Sequence, residues 1–318
     1  MKYIKLIVVA AISLFATTQA VAQQRVVFSP QWTPQAQFAG YYAAQELGFY
    51  NEVGLDVEIV HPNKSVSALQ MLKRKQSDFV TLDLITAIDD NLKGGRLRNI
   101  LQTSQMSGFA LISHKSIDKI EDLEGMRIGQ WRAGFSLTAH SAIDNQGVNV
   151  EWIDILEGVN VFLSKAVDAN LVMTYNELLT IEETGYEVNP NQVIYFRDVD
   201  GCNIPEEGIY TSSRYARLNP ETVKKFREAS IKGWLWVREN REQALDIVMK
   251  WVRSEAIPTN RLHQQRMLEE ILYLQIGESG ESFTTLSSED FEQAQQLLLN
   301  NQTYRDTTQY RYNLFIRK

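Results

Sequence analysis

The sequence has 318 residues, a formal net charge of −7, and 44% hydrophobic and 22% charged residues. Its length is enough for two domains of ordinary size, and its acidic balance without a basic block argues against nucleic acid or an anionic membrane surface as a partner. A single cysteine, Cys202, excludes an internal disulfide, so packed cores must stabilise the fold.

The first 22 residues have the pattern of a secretory signal peptide. Lys2 and Lys5 precede an apolar run at 6–15, and the residues up to Ala22 form a small-residue cleavage site. An uncleaved N-terminal anchor is the alternative, although the run is short for a membrane span. We expect cleavage after Ala22, a periplasmic location, and a net charge of −9 once the two lysines are removed from the total of −7.

Residues 26–60 are predicted to form one βαβ unit. The loop after the first strand holds Trp32 between two prolines, which fix their own φ and keep the preceding residues out of a helix. Phe38 and Tyr42 follow at helical spacing behind this loop, and Gly54 turns the chain into a second strand. Trp32 thus lies beyond the carboxyl end of a strand, where open α/β sheets hold ligands, although simple packing is its alternative role.

The pattern of aromatic residues and glycines in this unit is more specific than a lone tryptophan. From Trp32 to Val57 it reads W-x-P-x-x-x-F-A-G-Y-Y-A-A-x-E-x-G-F-Y-x-E-x-G-L-D-V. This window resembles the start of the periplasmic binding proteins related to thiamine-pyrimidine precursor synthases. Those proteins are type II solute-binding proteins of ABC importers, and they include formylaminopyrimidine and riboflavin binders. The resemblance implies a two-lobed type II periplasmic binding protein fold with a ligand cleft.

Short strands and helices alternate along the next part of the chain, which predicts mostly parallel sheets with right-handed crossovers. Strands are predicted at 78–84, 100–103, 109–112, 126–129, 150–155, 169–174 and 192–197, and helices at 65–76, 85–92, 136–146, 159–166 and 176–183. A strand at 209–211 is expected to return to the first sheet. Helices are predicted after it at 219–237, 240–254, 258–276 and 288–300.

We therefore expect an α/β fold with two lobes, mostly parallel sheets with flanking helices, and a helical C-terminal third. Lobe 1 would comprise residues 23–107 and 204–318, and lobe 2 would comprise residues 108–203. Two chain crossings, near 105–109 and 198–206, would form the hinge of a closing binding protein.

Asp83 and the loop at 129–136 are the next candidates for ligand contact. Asp83 interrupts an apolar strand, and a carboxylate buried there needs partners because an unpaired buried charge is costly. Its alternative role is to cap the following helix. Glycines in the loop allow backbone N–H groups to approach a ligand. We expect Trp131 and Gly134 at the ligand, because the equivalent loop lines the cleft in the resembled family.

The strand predicted at 169–174 ends in an aromatic, an amide and an acidic residue, Tyr175, Asn176 and Glu177. A carboxylate can accept hydrogen bonds from the edge of an aminopyrimidine, while Trp and Tyr rings stack on its faces. These three residues resemble a segment common in the same binders, although Glu177 could instead offset the helix dipole. Glu207 lies in an acidic-glycine segment that resembles the return hinge of the family, which makes it a further candidate.

Catalysis and metal binding find little support in the sequence. The four histidines are scattered, and neither a metal-ligand motif nor a nucleophile motif is present. The fungal synthases of the resembled superfamily carry a histidine after the third strand and a cysteine-rich run near the return hinge. Here the first stretch reads DLIT at 83–86, and only Cys202 remains in the second. We therefore expect neither an enzyme nor a bound metal or cofactor.

The resemblance implies a solute-binding protein that captures a small heteroaromatic ligand, with a pyrimidine thiamine precursor as the first choice. We expect it to deliver this ligand, as a monomer, to an ABC permease. Two alternatives stay open: a periplasmic sensor subunit that signals through a membrane histidine kinase, and, less favoured, an enzyme that makes the pyrimidine precursor. A neighbouring permease or kinase gene would separate the first two, and turnover by the purified protein would identify the third.

Overall fold

The computed structural model describes residues 23–317 except 64, 132–134, 157, 277–282 and 305. The predicted signal peptide, its cleavage after Ala22 and the candidate Gly134 lie outside the described residues. No helix in the described ranges combines the length and the apolar character that a membrane crossing requires.

The described residues form two five-stranded sheets. In chain order the strands are β1 (Gln24–Ser29), β2 (Leu55–Ile59), β3 (Phe79–Asp83), β4 (Leu97–Gln102), β5 (Phe109–Ser113), β6 (Arg127–Trp131), β7 (Glu151–Ile155), β8 (Ala169–Met173), β9 (Val193–Tyr195) and β10 (Glu207–Ser212). The first sheet has the order β2-β1-β3-β10-β4 and the second has the order β7-β6-β8-β5-β9. In each sheet one strand, β10 or β5, pairs antiparallel with both of its neighbours. The other strands share one direction, which confirms the predicted α/β class with mostly parallel sheets.

The return of the chain to the first sheet is also confirmed. β10 pairs with β3 and β4, so the predicted strand at 209–211 closes a sheet that began about 180 residues earlier. All five strands of the second sheet lie between β4 and β10. The lobe boundaries themselves stay a prediction.

Helices cover both sheets and dominate the C-terminal third. They are α1 (Ala39–Glu46), α2 (Phe49–Glu52), α3 (Ala68–Lys73), α4 (Leu84–Leu92), α5 (Leu137–Asn145), α6 (Asn160–Leu163), α7 (Glu177–Glu183), α8 (Ser213–Leu218), α9 (Pro220–Glu239), α10 (Arg241–Ser254), α11 (Arg261–Leu274), α12 (Ser288–Leu299) and α13 (Tyr312–Phe315). Short 3-10 turns lie at Ala36–Phe38, Ile120–Leu123, Pro190–Gln192, Phe196–Asp198 and Gln302–Tyr304.

Three local predictions need correction. The helix predicted from residue 65 begins at α3, because Ser67 is the capping residue: its Oγ accepts from Gln70 N, and the Gln70 side chain accepts from Ser67 N. The helix predicted at 159–166 is a single turn, α6. The short helix α8 was missed because its cap, Ser212, ends a strand and accepts from Tyr215 N across the junction.

Helix α1 is fixed in place by an unusually close contact with α9. A Cβ added to Gly40 would lie 2.2 Å from the Trp234 ring, and one added to Gly233 would lie 2.1 Å from the Gly40 carbonyl oxygen. Only glycine allows the two backbones to approach this closely. This contact sets the position of the helix behind Trp32.

The two chain segments that connect the sheets are hydrogen-bonded to each other. The carbonyl oxygen of Glu207 accepts from Thr103 N at 2.9 Å and from Ser104 N at 3.0 Å. The Glu206 carboxylate accepts from Ser107 Oγ at 2.6 Å and from Gly108 N at 2.8 Å. The crossings therefore run side by side and are linked by a buried acid.

Candidate functional site

A cleft lies between the two sheets, where the carboxyl ends of β1, β6 and β8 face each other. It is open to solvent, and the space between its walls and at its mouth amounts to about 360 Å³. Both sheets contribute to its lining, which consists of Gln31, Trp32, Gln35, Gln37, Trp131, Phe135, Met173, Tyr175, Asn176 and Glu177. Ligands of parallel α/β sheets bind at this edge, so the cleft is the candidate site.

Aromatic rings form the walls of the cleft. Trp32 comes from the first sheet and meets Phe135 of the second edge to face, with ring centroids 5.4 Å apart and an interplanar angle of 82°. Trp131 ends β6 and packs against Phe109 at 6.0 Å, while Tyr175 follows β8. Rings presented from both sides suit a flat apolar or aromatic ligand.

A partly buried relay of hydrogen bonds through His61 holds the Trp32 backbone from behind. His61 Nδ1 lies 2.5 Å from the Trp32 carbonyl oxygen, and His61 Nε2 lies 2.9 Å from the Tyr42 hydroxyl. Burial lowers the pKa of His61 to about 4, so its ring is neutral near neutral pH. A carbonyl can only accept, so Nδ1 carries the proton and Nε2 accepts from Tyr42. Tyr42 in turn stacks on Trp251 at 4.6 Å, and Phe38 packs beside it.

Asp83 lies at the end of β3 without the hydrogen bonds of a helix cap. It occupies the capping position of α4, yet its side chain makes no capping bond there. Its carboxyl group accepts from Gln31 Nε2 at 3.2 Å, and burial raises its pKa to about 7. The capping alternative therefore has no hydrogen bond to support it.

Glu206 and Glu207 place two further acids next to Asp83. Glu207 accepts from Gln37 Nε2 at 2.8 Å and from the Tyr41 hydroxyl at 3.0 Å. Glu206 bonds the opposite crossing segment, as described above. Burial raises the pKa of each glutamate to about 8.

Glu177 begins α7 and combines a structural role with a place in the cleft lining. Its carboxylate accepts from Met173 N at 3.0 Å and from Asn176 Nδ2 at 2.9 Å. Burial raises its pKa. The side-chain Oδ1 of Asn176 lies 3.0 Å from His263 Nε2, which ties this turn to α11. The first-turn role remains compatible with contact to a ligand.

Two smaller cavities adjoin the cleft and reach the acids. One is narrow, shares Phe135 and Met173 with the cleft and is lined by Asp83 and Glu206. The other is also narrow, shares Gln37 and Tyr175 with the cleft and is lined by Glu206 and Glu207. No Lys or Arg lines these three spaces within the described part of the chain, and Arg132 lies outside it. The described residues also hold no group of three or more metal-ligating side chains in position to bind an ion.

The predicted site residues fall into three positions. Those that line the main cleft are Trp32, Trp131, Tyr175, Asn176 and Glu177. Asp83 and Glu207 line the adjoining cavities, Phe38 and Tyr42 lie fully buried behind Trp32, and Gly134 lies outside the described residues. Their roles as ligand contacts stay predictions.

Sequence reasoning missed several residues of the site. Gln35, Gln37 and His61 lay outside every candidate segment, whereas Gln31, Phe135, Met173 and Glu206 lay within candidate segments but were not named as ligand contacts. The three glutamines flank Trp32 in the same loop, so their position next to a candidate residue was the available signal. His61 lies 29 residues from the carbonyl group that it holds, and no local pattern indicates such a contact.

Comparison with known proteins identifies related chains. The NMT1/THI5-like family model matches residues 35–244. The riboflavin-binding protein RibY of Chloroflexus aurantiacus is 25% identical over 264 residues, which cover 79% of this chain and 73% of that protein. The formylaminopyrimidine-binding protein of Halalkalibacterium halodurans is 24% identical over 234 residues, covering 69% of this chain and 68% of that protein.

A solved structure supports the fold assignment. The periplasmic aliphatic sulphonate binding protein SsuA of Escherichia coli matches with a TM-score of 0.61 at 14% identity, over 86% of this chain and 90% of that chain. The two mixed sheets with flanking helices thus form the type II periplasmic binding protein fold, as the sequence predicts.

Proposed function

Because the chain belongs to the NMT1/THI5-like family, we propose that it is an extracytoplasmic solute-binding protein for a small heteroaromatic ligand. The observation that carries the proposal is the aromatic cleft, in which Trp32 from one sheet faces Trp131, Phe135 and Tyr175 from the other. Offset or edge-to-face contacts with such rings contribute about 0.5–1.5 kcal/mol each beyond the burial of area. The names of the relatives, a riboflavin binder and a formylaminopyrimidine binder, support a ring-shaped ligand.

The acids beside the cleft favour a ligand with hydrogen-bond donors. Asp83, Glu206 and Glu207 are buried acids, and a sulfonate placed near them would find no counter-charge among the described lining residues. An aminopyrimidine offers a flat ring and N–H donors on one edge. A pyrimidine precursor of thiamine is therefore our first choice of ligand, and a flavin is the second.

The mechanism that we propose is capture by closure of two lobes. Lobe 1 would comprise 23–107 with 204–318, and lobe 2 would comprise 108–203, with the paired crossings as the hinge. A ligand that contacts both lobes favours the closed state by its difference in affinity for the two states. The closed, monomeric form would then deliver the ligand to an ABC permease, without chemical conversion.

A thermal-shift screen of the purified protein tests this function. The panel contains aminopyrimidines, flavins, alkanesulfonates and polyamines, each at a concentration near 100 times the expected Kd. Binding at that level adds about 2.7 kcal/mol to the free energy of unfolding. We expect a heteroaromatic compound to raise the Tm of the protein. We also expect the same compound to be recovered chemically unchanged after incubation with the protein. A rise only with non-aromatic solutes, or conversion of the bound compound, would contradict the proposal.

A further inference from the structure

Three acids form a compact cluster on the hinge side of the cleft. Asp83 and Glu207 are direct partners on the antiparallel strands β3 and β10, so their side chains leave the same face of the sheet a few ångströms apart. Glu206 precedes Glu207, and its carbonyl oxygen accepts from Leu84 N at 2.8 Å. The side chains of the three acids belong to residues that are at most 8% exposed. We call this group, Asp83, Glu206 and Glu207, the acid floor.

A second observation indicates that a ligand donates a hydrogen bond next to the acid floor. Gln31 is 7% exposed and lines the cleft next to Asp83, and its Oε1 is buried without a hydrogen-bond partner. A buried acceptor that stays unpaired destabilises the structure, because it has lost its hydrogen bonds to water. Two narrow recesses of the cleft reach the same acids. Unfilled space, an unpaired acceptor and carboxylates therefore meet at one place.

Among the described residues, the titratable groups that face the acid floor supply no positive charge to compensate it. The titratable groups whose pKa values respond to these acids, or that line the same spaces, are Tyr41, Tyr42, Tyr175, Tyr210 and Glu177. Burial raises the pKa of all five, so the tyrosines stay neutral and Glu177 adds a further acid. Three carboxylates this close cannot all ionise unless a cation joins them.

We propose that the ligand carries a protonated amine that binds the acid floor through Asp83, Glu206 and Glu207 while its ring occupies the aromatic cleft. This inference rests on the proposed function, and it narrows the ligand to heteroaromatic amines. On binding, the acids lose protons to solvent and the ammonium N–H groups take the place of those protons. Gln31 Oε1 accepts a donor of the same ligand.

An organic ammonium fits these acids better than a metal ion does. Each glutamate already uses both oxygens: Glu206 accepts from Ser107 and Gly108, and Glu207 accepts from Gln37 and Tyr41. A metal ion would require these oxygens at about 2.0–2.6 Å in a compact shell. An ammonium group needs only one remaining lone pair from each carboxylate at ordinary hydrogen-bond distance. The existing bonds can therefore persist in the complex.

A matched pair of probes tests the proposal. One is a 4-aminopyrimidine with a 5-aminomethyl group, and the other carries a 5-hydroxymethyl group of the same size without the charge. Titration calorimetry at pH 6 and pH 8 measures both affinities. At pH 8 we expect the amine to bind at least tenfold more tightly than the alcohol. We also expect the affinity for the amine to be about tenfold higher, or more, at pH 8 than at pH 6. Phosphate and Tris have different heats of protonation, so the difference between the binding enthalpies measured in the two buffers gives the number of protons released. We expect about one proton or more.

Variants assign the effect to the acid floor. Asp83→Asn and Glu206→Gln keep the shape of each side chain, and we expect each to reduce the preference for the amine at least fivefold. Glu58→Gln removes an equal charge from the exposed end of β2 and should leave the preference unchanged. Proton release by the unaltered protein tests the same point if a variant fails to fold.

The outcomes separate the two proposals. If the alcohol binds as tightly as the amine, or if affinity for the amine falls as the pH rises, the acid floor does not bind an ammonium group, and the proposed function stands. If calcium chloride stabilises the protein and competes with the amine, the floor is a metal site and the inference is wrong. If no heteroaromatic compound in the panel binds, both proposals fail.

Discussion

At the scale of single residues, the site depends on a tryptophan that is held from behind. The Trp32 side chain faces the cleft, while its carbonyl oxygen is bound by His61, whose ring also bonds Tyr42. Tyr42 is fixed by stacking on Trp251. Both ring nitrogens of His61 and the Tyr42 hydroxyl have hydrogen-bond partners in this relay, which restricts the position of the ring above it. Phe38 and Tyr42 were predicted to contact the ligand, but their position is that of residues that support Trp32.

Trp32→Ala should weaken binding of the heteroaromatic ligand without unfolding the protein. The substitution removes a half-buried wall of the cleft, and the lost stacking and burial correspond to about 2–3 kcal/mol, or roughly 30- to 150-fold in Kd. Titration calorimetry with the best compound from the screen measures the change. Trp152→Ala is the matched control, because Trp152 is also half-buried but stacks on His140, away from the cleft. Equal losses in both variants would contradict a role for Trp32 in the site.

At the scale of secondary-structure elements, caps and close contacts position the loops around the cleft. Helix α3 follows β2 and leads into β3, which carries Asp83 at its end. Its start is set by the reciprocal bonds between Ser67 and Gln70 rather than by Ser65. Helix α1 carries the second layer behind Trp32, and α9 holds it through paired glycines.

Ser67→Ala should destabilise the protein, whereas Ser65→Ala should not. The Ser67 hydroxyl satisfies a backbone N–H that α3 otherwise leaves unpaired, and loss of such a cap costs about 1 kcal/mol. Ser65 lies before the helix and is exposed, so its hydroxyl contributes little. Urea denaturation of the two variants measures the difference. If Ser65→Ala destabilised the protein more than Ser67→Ala, the helix would begin near residue 65, as the sequence predicts.

Gly40→Ala should be more damaging than alanine substitutions in helices usually are. Alanine is normally the better helix former, but here its methyl group would lie 2.2 Å from the Trp234 ring. Forcing the helices apart costs about 1–3 kcal/mol of unfolding free energy, and it displaces α1 from the cleft. Glu228→Ala, on the exposed face of α9, should change stability by less than about 0.5 kcal/mol. A neutral or stabilising effect of Gly40→Ala would show that the contact is looser than described.

At the scale of the whole molecule, sequence periodicity predicted the α/β fold class with mostly parallel sheets. It did not predict that Asp83, Glu206 and Glu207 lie close together. Trp32, Asp83, Trp131 and Tyr175 could be found because strand ends of a parallel sheet meet at one edge. Glu206 lies in a candidate segment of the sequence, but its contact with the crossing segment almost 100 residues earlier could not be predicted. Its neighbour Glu207 was found through the resemblance alone. Distant pairing of this kind leaves no local period in the sequence, so only the fold reveals it.

The acid floor also predicts how the stability of the ligand-free protein varies with pH. Burial raises the pKa of Asp83 to about 7 and those of Glu206 and Glu207 to about 8. The folded state then holds protons that the unfolded chain has released. The contribution of these groups to stability is therefore complete below about pH 4 and falls as the pH rises through 7–8. His61 has the opposite sign, because its folded pKa of about 4 lies below its usual value, but it no longer titrates above about pH 7.

We therefore expect the Tm of the ligand-free protein to fall between pH 6.5 and pH 8. The combined variant Asp83→Asn, Glu206→Gln, Glu207→Gln should lose most of this dependence and be more stable than the unaltered protein at pH 8, because it no longer has to hold buried acids that ionise. Glu58→Gln should retain the full dependence, since this side chain is exposed and paired with Arg25. Calorimetric melting at half-unit pH steps measures all three. A Tm that rises steadily across this range would mean that the acids are ionised in the folded state, and that a cation of the protein itself already compensates them.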